Sequence, residues 1–172
     1  GKMLREFQGR TNRWCNKIAI SLTHDGNSLV SVGENNPLCV WDVNSGTCLR
    51  VLEGFTAFAH AVSLTADGSV AISACLDKTL RVWNLATGGV HSMPEGQANI
   101  IEAVAITPDG KTALSACGDR SKQTPPFVDV WDVSTGECLR RLEGHTNFVK
   151  AVALTPDGKT AISGSWDETL RV

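Results

Sequence analysis

Apolar residues along the chain fall in short runs closed by turn residues, and nowhere at the three-and-four spacing that one face of a helix requires. Ala103-Val104-Ala105-Ile106 runs into Thr107-Pro108-Asp109-Gly110, and Thr112-Ala113-Leu114-Ser115-Ala116-Cys117 follows on the far side. Proline holds φ at about −65°, which suits the second position of a turn, and glycine closes the turn at the fourth. The prediction is strand, turn, strand. A third segment ends in Val130-Trp131-Asp132 and a fourth reads Cys138-Leu139-Arg140-Arg141-Leu142, so short strands in succession are predicted and no helix.

The pattern recurs. Asp25-Gly26, Asp67-Gly68, Asp109-Gly110 and Asp157-Gly158 are spaced by 42, 42 and 48 residues, and Trp41, Trp83 and Trp131 by 42 and 48. Ala61-Val62-Ser63-Leu64-Thr65-Ala66 aligns with Ala103-Val104-Ala105-Ile106-Thr107-Pro108 and with Ala151-Val152-Ala153-Leu154-Thr155-Pro156. Extra residues between Cys117 and Trp131 lengthen the third copy. Such a period marks an array whose units stack on their neighbours. In Trp41-Asp42, Trp83-Asn84, Trp131-Asp132, Gly144-His145 and the third strand Leu80-Arg81-Val82-Trp83, the chain resembles the WD40-repeat family over essentially its whole length. The resemblance implies an all-β fold, a WD40-type β-propeller in which each four-stranded sheet is a blade around a central channel.

The two ends fit the same frame. Gly1 to Gly9 aligns with Gly46 to Gly54 and with Gly136 to Gly144, while Thr169-Leu170-Arg171-Val172 aligns with Thr79-Leu80-Arg81-Val82. The expectation is one repeat domain over 1–172, with four blades at approximately 11–53, 54–95, 96–143 and 144–172 plus 1–9. The N-terminal strand then completes the C-terminal blade. Three arrangements follow: two chains closing an eight-bladed ring as a homodimer, a fragment of a longer WD40 protein, or a four-bladed ring from one chain. An unclosed array exposes sheet edges and apolar blade faces, and most homo-oligomers are closed and twofold.

Composition narrows the function. The chain has 172 residues with 16 Lys+Arg, 18 Asp+Glu and 42% hydrophobic residues, the balance of a foldable domain rather than of a disordered, collagenous or coiled-coil chain. A net charge of −2 without a local basic patch argues against nucleic-acid and membrane partners. The N-terminus, Gly1 to Phe7, has no apolar run of signal-peptide length, and no stretch reaches the roughly 18 apolar residues of a membrane span. The 6 cysteines form no Cys-x-x-Cys and sit mostly in apolar runs, which points to reduced thiols and a cytoplasmic setting. Cys75 and Cys117 share one repeat position and Cys48 and Cys138 another, as packing residues do, and the histidines do not cluster; no metal site is expected. Thr87-Gly88-Gly89 precedes no helix and no Lys-Ser/Thr pair, so no phosphate loop and no cofactor are expected.

His145, Ser163 and Asp167 match the residue types of a nucleophilic triad. The resemblance instead assigns them to a structural hydrogen-bond network with the repeat's Trp. Its matching members are Phe55, Ser73, Asp77 and Trp83 in the second copy, and Gln97, Ser115, Asp119 and Trp131 in the third. A device that decays from copy to copy is not catalytic, so no enzyme is expected. Loss of the histidine also predicts fewer buried polar networks.

WD40 resemblance implies partner docking on the face that carries the loop before the first strand and the turn after the second. Carried over, the positions are Phe58, His60 and Leu76, then Ile100, Glu102 and Gly118, then Phe148, Lys150 and Trp166, with Trp14 a further candidate. Phe58, Phe148 and Trp166 are the large apolar side chains that a protein partner would bury, unless they pack into the channel mouth or a dimer contact. The inserted Arg120 to Phe127, stiffened by Pro125-Pro126, belongs to the same face, either as a recognition loop or as a neutral insertion. The expected function is a non-enzymatic scaffold for protein or peptide ligands. Alternatives are a piece of the sensor or regulatory propeller of a bacterial multidomain signalling protein, a self-assembling or engineered propeller without a dedicated ligand, and, more weakly, a glycan-binding propeller.

Overall fold

The computed structural model describes residues 7, 18–33, 36–54, 58–93, 100–118 and 124–172. Trp14, Phe55, Gln97, Asp119, residues 120–123 of the insertion and, apart from Phe7, the N-terminal strand lie outside them.

The described residues form antiparallel sheets and no helix. Strands β1 (Ile18–Leu22), β2 (Ser28–Gly33), β3 (Asn36–Asp42) and β4 (Cys48–Leu52) make the first, ordered as they occur in the chain. Strands β5 (Ala59–Leu64), β6 (Val70–Cys75), β7 (Leu80–Asn84) and β8 (Val90–Ser92) make the second. The third holds β9 (Ile100–Ile106), β10 (Thr112–Gly118), β11 (Phe127–Asp132) and β12 (Cys138–Leu142). Strands β13 (Val149–Leu154), β14 (Ala161–Ser165) and β15 (Leu170–Arg171) make a three-stranded fourth. Each is an up-and-down meander of the WD40 blade type.

One turn design joins the first two strands of every sheet. Thr107 Oγ1 donates to Asp109 Oδ1 at 2.6 Å and accepts the Thr112 N–H at 3.0 Å, while Gly110 N–H donates to Thr107 O at 2.9 Å. Thr23, Thr65 and Thr155 do the same for their own Asp and Gly. The glycine adopts φ +71° at Gly110, a left-handed conformation that L side chains adopt only at a cost. It also meets the neighbouring sheet: a Cβ on Gly110 would lie 3.2 Å from the Thr65 methyl, and one on Gly68 only 2.6 Å from that of Thr23. The sequence pointed to the turn; the nesting of each glycine on the preceding sheet's threonine comes from the stack.

The core lies between sheets rather than within them. Val30, Val32, Leu38 and Leu52 of the first sheet pack with Val62, Leu64, Trp83 and Leu85 of the second. Ile72, Leu80, Val82 and Met93 pack likewise with Ile101, Val104, Ile106, Trp131 and Val133 of the third. Burying side chains of this size contributes about 1.5–3 kcal/mol each, so the middle strands carry the stability: β6 and β10 are buried almost throughout, whereas β12 is exposed along its length. A one-residue bulge before Trp41 and Trp131 offsets the fourth strand, and β7–β8 lacks it. Met93 accordingly reaches, one residue sooner, the inward place that Leu52 holds. First strands stand in a row, β1 against β5, β5 against β9 and β9 against β13.

Candidate protein-binding face

The docking positions sit where the first and second strands of a sheet meet at one edge. Leu76 N–H donates to Phe58 O at 2.8 Å, and Trp166 N–H donates to Phe148 O at 2.9 Å. These backbone bonds place Leu76 beside Phe58 and Trp166 beside Phe148. The tight turns that follow hold Lys78 at φ 68° and Glu168 at φ 66°, left-handed positions without glycine, each at a cost of roughly 1–2 kcal/mol. Asp77 and Asp167 tie these turns down by accepting the Thr79 and Thr169 hydroxyls, both at 2.6 Å.

In the fourth sheet this geometry builds an aromatic step. The Phe148 and Trp166 rings meet edge to face with centroids 5.3 Å apart, and Trp166 remains 61% exposed. Lys150 lies with Nζ 4.3 Å from the Trp166 centroid and 5.1 Å from that of Phe148. Its ammonium also pairs with Glu102 of the third sheet at 2.8 Å, so cation, carboxylate and indole form one patch across a sheet junction. Gly118 explains how Phe148 fits there, since a Cβ would stand 2.2 Å from the Phe148 ring. The repeat frame marks position 118 without saying why glycine occupies it.

Phe58 and Leu76 are exposed on the second sheet and Ile100 is half-buried on the third. His60 is turned toward the third sheet: Nε2 meets Ile101 O, and Nδ1 is enclosed with no hydrogen-bond partner. It joins two sheets rather than presenting a free ring to solvent.

Of the candidate network residues, Asp167 follows Trp166 in the tight turn. His145 Nδ1 lies 2.7 Å from Asp167 Oδ2 and Nε2 lies 2.8 Å from Ser163 Oγ. Burial opposes ionisation of Asp167, but the Thr169 hydroxyl, the Thr146 N–H and His145 together hold its carboxyl well below the usual range. Trp83 donates to Ser73 Oγ, Trp131 to Ser115 Oγ and Trp41 to Ser31 Oγ, each at 2.9 Å. The second and third copies carry ion pairs. Arg81 meets Asp77 at 3.2 Å, and Arg141 grips the fully buried Asp129 at 2.8 and 2.9 Å while lying 3.6 Å over the Phe127 ring. Arg81 and Asp129 are thus buried charged groups in the two copies that lack the histidine. The repeat frame could not show this, because Arg81 and Asp129 occupy one strand position with opposite charge. Ser163 lines a cavity of about 780 Å³ between β12 and β14, with Leu142, His145 and Arg171.

The family model described as WD domain, G-beta repeat matches residues 46–84 and 136–172. The chain carries WD40 repeats. The two matched stretches run over β4–β7 and β12–β15, each taking the outer strand of one sheet and three strands of the next. No curated protein matches the chain. Among the described residues no group of three or more His, Cys, Asp or Glu is placed to hold a metal ion, and no helix is long and apolar enough to cross a membrane.

Proposed function

We propose that the chain is a non-enzymatic interaction module that takes a protein or peptide ligand on the face carrying Phe58, Leu76, Phe148, Lys150 and Trp166. WD40 repeats commonly serve as scaffolds for contacts between proteins, and the family is generally non-enzymatic. The observation that carries the reading is the aromatic step: an indole 61% exposed, braced by Phe148 and by a lysine already ion-paired. An exposed aromatic with an adjacent cation is the kind of anchor that interfaces bury at their centres. Its ligand offers an apolar or aromatic side chain to Trp166 and a carboxylate that shares Lys150.

The proposed setting is the cytoplasm, in line with cysteines that form no Cys-x-x-Cys and sit mostly in apolar runs. Burial pushes the Cys75 thiol up to about 11 and the Cys117 thiol up to about 12, so both stay protonated and inert. A homo-oligomer that completes the ring of blades belongs to the same proposal.

Affinity capture with the intact chain and with a Phe58→Ala/Trp166→Ala variant, followed by quantitative mass spectrometry, tests the face. The expected result is a defined set of proteins lost from the variant while its circular dichroism is unchanged. Equal recovery of every protein rejects the site.

A further inference from the structure

The outer strand of one sheet faces the turn between the third and fourth strands of the next, and the first two junctions close there differently. In the first, Arg50 of β4 stands opposite Val40 of β3 and reaches across, its Nη1 donating to Ala86 O at 2.6 Å in the turn between β7 and β8. In β12 the place opposite Val130 is again an arginine, Arg140. In β8 the place opposite Val82 falls to His91, because this strand pair lacks the bulge. The carbonyl that corresponds to Ala86 O is that of Ser134, three residues after Trp131 as Ala86 is three after Trp83. An imidazole has neither the reach nor the planar fork of a guanidinium. His91 is exposed, and among the described residues no hydrogen bond joins it to Ser134. What remains between the second and third sheets is a groove of about 670 Å³, walled by Val82, Val90 and Val133 and lined also by Lys111, Asp132 and Ser134.

Charge changes along with shape. The turn that holds Ala86 begins at Asn84, whose Oδ1 accepts the Ala86 and Thr87 N–H groups at 3.1 and 2.8 Å. The turn that holds Ser134 begins at Asp132, which does the same work through Oδ1 alone. Oδ1 accepts the Ser134 N–H at 2.8 Å, the Ser134 hydroxyl at 2.6 Å and the Thr135 N–H at 2.9 Å. These donors hold the carboxyl below the usual range, so it is ionised at neutral pH. The second junction thus offers apolar walls, a carbonyl and a carboxylate where the first holds an arginine.

We infer that this groove takes an arginine side chain from a protein partner, its guanidinium donating to Ser134 O as Arg50 donates to Ala86 O and pairing with Asp132. A planar set of five donors serves a carbonyl and a carboxylate together, and the apolar stem lies on the valines. Lys111, exposed at the place of Ser69, opposes a second cation and limits the affinity. The groove lies toward the Val70 end of β6, away from Leu76, and shares no residue with the aromatic step. It is a second contact, independent of that face.

NMR titration of the isotope-labelled chain with acetyl-Val-Arg-Val-amide tests it, beside the same peptide with lysine or citrulline in place of arginine. Citrulline keeps the shape without the charge. The arginine peptide is expected to give saturable shifts at the Val90, Lys111 and Ser134 amides, and the other two to bind about tenfold more weakly. His91→Arg supplies the side chain from within, so it is expected to abolish those shifts and raise the melting temperature by about 2–4 °C. Asp132→Asn copies Asn84 and is expected to keep the circular dichroism while weakening the arginine peptide about tenfold. Absence of shifts at these amides, equal binding of either control peptide, or binding unchanged by His91→Arg or by Asp132→Asn would overturn the inference.

Discussion

Two tryptophans of this chain do opposite work, and repeat position tells them apart. Trp83 is wholly buried and donates to Ser73, whereas Trp166 lies on the surface over Lys150. Trp83→Phe removes a buried hydrogen bond and part of a close-packed ring, and should cost about 2–4 kcal/mol in urea unfolding. Trp166→Ala should cost under about 1 kcal/mol. Equal losses would mean that the aromatic step is part of the core. The periodic place of Trp83 was legible in the sequence, because Trp41 and Trp131 share it. The company of Trp166 was not, because the Lys150–Glu102 pair crosses a junction between residues 48 apart. Gly118 is a similar case: Gly118→Ala should displace Phe148 and destabilise the chain by about 1–3 kcal/mol, read as a lower melting temperature. An unchanged melting temperature would show that Phe148 moves aside freely.

Turns are the element whose chemistry the sequence displayed most fully, and they bring a pH dependence that it displayed only in part. Thr23, the Asn27 N–H and the Asn27 side chain all donate to Asp25, and they lower its pKa from 3.8 to about 2. Hydrogen bonds from Thr65, Thr107 and Thr155 lower Asp67, Asp109 and Asp157 in the same direction. A carboxyl depressed in the folded state binds fewer protons there than in the unfolded chain. Its stabilisation is complete above about pH 4 and is lost as the pH falls toward 2. Asp25→Asn should therefore flatten the decline of the urea midpoint between pH 4 and 2 and leave its slope above pH 5 unchanged. An identical decline in both proteins would show that the turn carboxylate is not linked to folding. Thr, Asp and Gly at fixed spacing made the turn readable; the donors to Asp25 depend on the backbone closing back on itself, which spacing alone does not reveal.

At the scale of the whole molecule, repetition made the architecture legible and left its closure to the packing. Four copies of one pattern imply four similar sheets, but which apolar strand faces are covered depends on neighbours, and among the described residues no sheet covers Ile20 as the first sheet covers Val62. The turn glycines turn that difference into a measurement. Gly26 and Gly68 share φ near +70°, so alanine at either carries the same left-handed strain, about 1–2 kcal/mol. They differ in surroundings: the added Cβ meets the Thr23 methyl at 2.6 Å from position 68 and open space from position 26. Gly68→Ala should therefore cost about 1–3 kcal/mol more than the strain alone, at every protein concentration. Gly26→Ala should cost only the strain. Urea midpoints of both variants and the intact chain give the answer. Equal penalties for Gly26→Ala and Gly68→Ala would show that the Thr23 methyl moves aside freely.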